Sequence, residues 1–172
     1  MTTILTVRHN NRVTMGGDGQ LTLGSTAVKH GARKIRRLHD NKVLAGFAGG
    51  AADAMALLEH FEGMLKKAQG NVQKASVELA KQWRTDRLLR KLESVLLVAD
   101  RNHTLMVSGQ GDVIEPDDGV AGIGSGGGFA VAAARALAGN SSLECRDIVE
   151  KSLQIAATLC IYTNEEIHVE EL

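Results

Sequence analysis

The chain opens Met1-Thr2-Thr3-Ile4-Leu5-Thr6-Val7, and the chemistry open to it begins there. A threonine hydroxyl is a poor nucleophile unless a base lies within hydrogen-bond reach. Removal of Met1, which a small second residue permits, would leave Thr2 with a free α-amine beside its hydroxyl. Such an amine has a reference pKa of about 7.7–8, so a sizeable fraction is neutral near pH 7. One residue would then supply both nucleophile and base. The same residues also suit the plain opening of a strand, and only the rest of the chain separates the two readings.

Three other stretches hold groups able to do chemistry. Gly16-Gly17-Asp18-Gly19 sets a carboxylate among glycines, where backbones can approach closely. Lys29, His30, Arg33, Lys34, Arg36 and Arg37 form a basic cluster. It is short and lacks aromatic partners, which favours a solvated face over a nucleic-acid patch, although one lysine turned inward would matter for catalysis. Gly122-Ile123-Gly124-Ser125-Gly126-Gly127 satisfies G-x-G-x-x-G between a strand and a helix. A dinucleotide fingerprint should open the first unit of a parallel sheet and find its acidic residue at the end of a later strand. Here the motif lies three-quarters along the chain, and Glu144 instead opens a helix. A serine-hydrolase elbow around Ser125 would need glycine where Ile123 stands. The sequence holds no H-E-x-x-H, no P-loop and no clustered Cys/His metal site.

Composition narrows the class further. The 172 residues suit one domain with a substantial core, 44% hydrophobic and 23% charged. Twenty basic residues balance twenty acidic ones, so no global field favours nucleic acid or an anionic membrane. Cys145 and Cys160 match no metal spacing and suit a reducing cytosol. The first twenty residues carry Arg8, Arg12 and Asp18 without a long apolar run, so a signal peptide is not expected. No apolar run is long enough for a membrane-spanning helix, and the expected location is the cytoplasm.

These groups need elements to hold them. Residues 2–9 read as a strand, Asn10-Asn11 as a turn, and Arg12–Met15 as the return strand of a hairpin. Lys42–Gly50 reads as a buried strand ending in glycines. A helix follows, with Ala54, Leu57, Leu58, Phe61 and Leu65 on one face. Gln69-Gly70 closes it, Asn71 can cap the next helix, and Val72, Ala75, Leu79 and Trp83 line that helix's apolar side. Arg84, Arg87, Arg90 and Lys91 continue at near-helical spacing as an exposed face or a subunit contact.

Strands are expected at Glu93–Asp100, Thr104–Ser108, Val113–Ile114 and Val120–Ile123, then an alanine-rich helix over Phe129–Leu137. A last helix should start near Ser141 or Ser142, with Ser141 and Glu144 as a capping box, and run to about Thr163. Ile167–Val169 is a possible closing strand. Strands, two helices, strands and two helices in that order predict α+β layering over a largely antiparallel sheet system.

Taken together, Thr2-Thr3, Gly17-Asp18-Gly19-Gln20, Thr22-Leu23-Gly24, Lys34 with Arg36-Arg37-Leu38, and Ala45-Gly46-Phe47-Ala48-Gly49-Gly50 resemble a known family. Trp83-Arg84-Thr85-Asp86-Arg87, the glycine motif at 122–127 and Ile161-Tyr162-Thr163-Asn164 extend the match. The chain resembles the bacterial proteasome-like peptidases of the N-terminal-nucleophile hydrolases, over nearly its whole length and in the right order.

The resemblance implies a four-layer αββα sandwich forming a single peptidase domain over residues 1–172, with Met1 removed. It implies a homododecamer of two stacked hexameric rings, docked by a hexameric AAA+ ATPase that unfolds protein substrates and threads them inward. Thr2 would be the nucleophile and its amine the base. Lys34 would be the neighbouring cation, Asp18 its partner, the Gly46 N–H the oxyanion donor, and Ser125 a hydrogen-bond partner of the amine or its water. A plain turn serine remains the alternative for Ser125. The family's sodium site, made of main-chain carbonyls, maps to Ala157, Cys160 and Thr163, where alanine replaces a familiar glycine yet keeps the carbonyl. No organic cofactor is implied. Saturable nucleotide binding by the chain alone would favour a nucleotide-binding domain, and assembly without a covalent adduct at Thr2 a silent ring subunit.

Overall fold

The structure, a computed structural model, describes residues 2–87, Leu89 and residues 94–172. Met1, Arg90, Lys91 and Glu93 lie outside the described residues, as does the Ala54 side chain.

The Asn10-Asn11 turn joins β1 (Thr3–His9) to β2 (Arg12–Gly17). Both asparagines adopt left-handed backbone, φ 50° and 60°, which asparagine tolerates and which matches the twist of a two-residue hairpin. β1 is central, flanked by β2 and by β10 (Val120–Gly124), and β11 (His168–Glu171) extends the sheet beyond β2. A second sheet runs β5 (Ile35–Leu38), β6 (Val43–Ala48), β7 (Val95–Ala99), β8 (Thr104–Ser108) and β9 (Val113–Ile114) in sequence order. Among the described residues every strand pairing is antiparallel. The sequence reading assigns no element to residues 21–27, and there β3 (Leu21–Leu23) pairs with β4 (Thr26–Lys29) in a small, largely exposed ribbon.

The sheets pack face to face through Ile4, Val13, Met15, Ile35, Leu44, Leu97 and Ile123. Helices cover the outer faces. α1 (Ala51–Lys67) and α2 (Val72–Thr85) bury Phe61, Leu65, Leu79 and Trp83 against the five-stranded sheet. Asn71 caps α2 as expected, its side chain accepting from the Lys74 N–H at 2.8 Å. α3 (Gly127–Asn140) and α4 (Cys145–Leu159) cover the four-stranded sheet with Ala130, Ala134, Ile148, Val149 and Leu153. α2 and α4 bury residues at the same spacing, Val72-Ala75-Ser76-Leu79-Ala80-Trp83 and Cys145-Ile148-Val149-Ser152-Leu153-Ala156. That is one face of a 3.6-residue helix. Full burial of a side chain such as Phe61 contributes about 1.5–3 kcal/mol. The layers are α, β, β, α, as the resemblance implies.

Three boundaries differ from expectation. α3 is longer than Phe129–Leu137 at both ends. α4 starts at Cys145 and stops at Leu159, and no capping box forms. Ser141 ends α3 instead, its hydroxyl donating back to the Leu137 carbonyl at 2.7 Å, so the preceding helix has claimed the side chain meant for the next. Glu144 is the N-cap of α4 without a side-chain cap bond. Among the described residues no helix is long and apolar enough to cross a membrane.

Candidate active site

One end of the sandwich gathers the start of β1, the end of β2, the end of β10, the start of β5 and the segment after α4. Strand register places them. Thr3 pairs with Gly124, Ile4 with Gly17 on the other side, and Ile35 with Gly46 in the second sheet. Thr2, immediately before β1, is buried, and its carbonyl accepts the Ser125 N–H at 2.9 Å. Gly124 is required here. Its φ is +85°, and a Cβ would sit 1.9 Å from the Thr2 carbonyl oxygen.

Asp18 follows β2 and is 1% exposed. Its Oδ1 accepts the Thr3 N–H at 2.9 Å and the Lys34 ammonium at 2.7 Å. Its Oδ2 accepts the Gln20 N–H at 2.9 Å and the Asn164 N–H at 3.4 Å. Four donors on two oxygens fix this carboxylate in place and link it to the backbone one bond beyond Thr2. Lys34 is the inward-turned lysine of the basic cluster, whereas Lys29, His30, Arg33, Arg36 and Arg37 are exposed. Burial draws the Lys34 ammonium below the usual lysine value, and the charge and hydrogen bond of Asp18 oppose that pull.

Gly46 lies in β6 with its α-carbon facing Ile4 across the sandwich. A Cβ there would come within 2.8 Å of Ile4 Cδ1, so the strand carries glycine where the sheets approach closely. Ser125 is exposed, and its hydroxyl points to the Thr2 carbonyl at 3.4 Å. The structure thus brings Thr2, Asp18, Lys34 and Ser125 to one place, with Gly46 on the facing sheet.

Sequence reasoning missed the second layer of contacts. The Thr3 and Thr163 hydroxyls hydrogen-bond at 2.7 Å, and Thr3 Oγ1 also accepts the Gly126 N–H at 3.0 Å. Gln20 Nε2 donates to the Ile161 carbonyl at 3.0 Å. Burial pushes the Cys160 thiol up, but hydrogen bonds with Thr163, the Tyr162 backbone and Ser125 outweigh it, leaving the thiol below its ordinary value. Residues 160–164 therefore brace the site, and the run Ile161-Tyr162-Thr163-Asn164 is the signal of this in the sequence. Ala157 lies in the last turn of α4, Cys160 is its C-cap, and the Thr163 N–H donates to the Cys160 carbonyl at 3.0 Å. Among the described residues no group of three His, Cys, Asp or Glu side chains is arranged to hold a metal ion.

Thr2, one residue into the chain and beside a buried lysine–aspartate pair at the mouth of an αββα sandwich, is the arrangement expected of the class of N-terminal-nucleophile hydrolases. The proteasome subunit family model matches residues 1–172. The chain is 60% identical over 171 residues to the ATP-dependent protease subunit HslV of Pseudothermotoga lettingae, spanning 99% of this chain and 97% of that protein. It is similar to the crystal structure of eukaryotic HslV from Trypanosoma brucei, with 46% identity, a TM-score of 0.95 and 99% of each chain covered. The Thiobacillus denitrificans protein BPH shares the fold at 17% identity and a TM-score of 0.76, with 99% of this chain and 97% of that one covered. The chain belongs to the proteasome subunit family and is a peptidase subunit of the N-terminal threonine type.

Proposed function

We propose that the chain, with Met1 removed, hydrolyses peptide bonds of unfolded proteins through an acyl-enzyme at Thr2. The observation that carries this reading is Asp18, whose one carboxylate oxygen holds both the Thr3 N–H and the Lys34 ammonium. The Thr2 hydroxyl oxygen attacks the scissile carbonyl carbon while its proton passes, through a water, to the Thr2 amine. Lys34 disfavours protonation of that amine and stabilises negative charge developing at the reaction centre. Asp18 keeps Lys34 charged and oriented. The Gly46 N–H receives the oxyanion, a role worth about 3 kcal/mol of barrier in comparable sites. Ser125 hydrogen-bonds the amine or its water. Collapse expels the leaving amine, which takes the proton from the Thr2 amine, and water then cleaves the ester by the same route in reverse. Acyl transfer of this kind calls for no organic cofactor.

The relative named HslV is described as a subunit of an ATP-dependent protease. We extend that arrangement to this chain: a homododecamer of two hexameric rings in the cytoplasm, served by the hexameric AAA+ ATPase HslU. A sodium ion fits the end of α4. Last-turn carbonyls of a helix such as that of Ala157 lack intrahelical donors, and uncharged oxygens suit a hard cation, so Ala157, with Cys160 at the C-cap and Thr163 just beyond it, would hold it through main-chain carbonyls. Its charge would draw those oxygens together, the Cys160 carbonyl also accepting the Thr163 N–H, and brace the turn that carries Thr163.

Intact-mass analysis after treatment with a peptide epoxyketone, which closes a ring on both hydroxyl and amine of a terminal threonine, tests the reading. We expect one adduct on a chain lacking Met1, with the ATPase and ATP present, and none in Thr2→Ala. Wild-type peptide cleavage by Thr2→Ala would overturn the mechanism.

A further inference from the structure

Three segments outside helix and strand meet at the site: residues 18–20 carrying Asp18, residues 30–34 carrying Lys34, and residues 160–164. We propose that Asn164 is a positioning residue for the reaction, its carboxamide tying the Asp18 segment to the Lys34 segment and so setting the geometry of the pair that acts on Thr2. This deepens the peptidase reading and rests on it.

Asn164 Oδ1 accepts the Gly19 N–H at 3.0 Å, and Nδ2 donates to the His30 carbonyl at 2.9 Å. The orientation is dictated by its partners, because a main-chain N–H needs an acceptor and a carbonyl needs a donor. The same residue's backbone N–H points to Asp18 Oδ2 at 3.4 Å. The two bridged segments are already close, with the Ala32 N–H donating to the Gly19 carbonyl at 2.9 Å. A Cβ on Gly19 would lie 2.0 Å from the His30 carbonyl oxygen, so only glycine permits this approach.

Lys34 reaches Asp18 from a segment with no ladder of its own before β5. Its placement depends on these cross-bonds, and the buried pair has no solvent into which to relax. A carboxamide is the one short side chain offering a donor and an acceptor at this separation. Aspartate would turn an acceptor against the His30 carbonyl and add a negative charge near Lys34. Leucine, of similar shape, would make neither bond.

The test compares wild type, Asn164→Leu and Asn164→Asp in complex with the ATPase and ATP, using a small fluorogenic peptide amide. Rates are divided by the number of Thr2 sites labelled by the epoxyketone, so that misfolded subunits drop out. Asn164→Leu should lower kcat on the order of 10–100-fold, the usual cost of misplacing a reacting group by about 1 Å, with KM nearly unchanged. Asn164→Asp should move the acid limb of the kcat profile upward by roughly half a pH unit, because a second carboxylate favours the protonated amine. A brace without influence on the reaction would lower thermal stability and move neither quantity. Wild-type kcat per labelled site in Asn164→Leu overturns the proposal. Should that variant fail to fold, an unmoved profile with wild-type kcat in Asn164→Asp overturns it. Absence of labelling at Thr2 in the wild type would instead defeat the peptidase reading, and this inference with it.

Discussion

Two ion pairs stand at opposite ends of β5, and they have little in common beyond charge. At the start of the strand Lys34 meets Asp18 at 2.7 Å, with side chains 4% and 0% exposed. Near its other end Arg37 meets Glu170 at 2.6 Å, with side chains 32% and 24% exposed. A cavity of about 600 Å³ opens at the second end, lined by Arg37, His39, Lys42, Arg101 and the terminal Leu172. That hollow therefore lies away from the buried charges. Partners for the exposed pair are plentiful and wet: Arg37 also donates to the Glu171 carbonyl, and Arg12 meets Glu171. At the buried end the other donors to Asp18 are main-chain N–H groups, that of Thr3 in β1 and those of Gln20 and Asn164 in the adjoining loops. The contrast separates a buried charge, which the proposed mechanism uses, from exposed charges that close an edge.

The largest effect should come from Lys34→Ala. Loss of a preorganised charge at a reaction centre costs about 10²–10³-fold in kcat, and steady-state hydrolysis per folded subunit would measure it. A kcat within twofold of wild type would remove Lys34 from the mechanism. Next comes Asp18→Ala, which leaves Lys34 buried and unpaired and should destabilise the fold by about 3–5 kcal/mol. Urea unfolding would read that loss, and a shift under 1 kcal/mol would mean that Lys34 escapes to water.

The same pair gives a pH signature. The folded-state pKa of Lys34 lies below its ordinary value, so between the two values the unfolded chain binds more protons than the folded one. Stability should therefore rise as pH climbs through that window, below about 10.4, and this rise should disappear in Lys34→Met. At the other end, burial pushes the Glu170 carboxyl up, but the Arg37 hydrogen bond and charge, helped by His168, hold it below the ordinary value. That contribution is present above the unfolded glutamate value and fades as acid is added. Arg37→Ala should be the mildest change, costing about 0–1 kcal/mol and less at high salt, with peptide cleavage by the assembled enzyme unchanged. A loss of several kcal/mol there would erase the distinction drawn between the two ends.

Much of the frame could be read from the residues. Asn10-Asn11 announces its hairpin through local backbone chemistry, and the burial period of α2 is visible in Val72, Ala75, Leu79 and Trp83. The rank of the basic cluster was legible too, as an exposed face with one lysine turned in. The ribbon of β3 and β4 was not, since Leu23 and Val28 are exposed and no buried alternation marks the strands. Ser141 misled because its hydroxyl had two helices to choose between, and local spacing does not say which wins. Thr2, Asp18, Lys34, Gly46 and Ser125 were carried by the ordered set of motifs, since no short spacing links them. Asn164 lies 145 residues from Gly19 in the chain, and a polar residue in a turn gives no sign of so distant a partner.

The central position of β1 turns the sheet into a ruler for the start of the chain. Bonds to β10 on one edge and β2 on the other fix which residue stands where, and each residue advances about 3.3 Å and faces the opposite way from the last. A subunit trimmed one residue too far would present the Thr3 side chain, whose hydroxyl is committed to Thr163 and Gly126. One left a residue too long would bury its amine in a peptide bond. On the proposed mechanism the register of β1 thus selects Thr2 as the residue that must carry the free amine, and an affinity tag fused ahead of it would silence the enzyme however well the rest assembled.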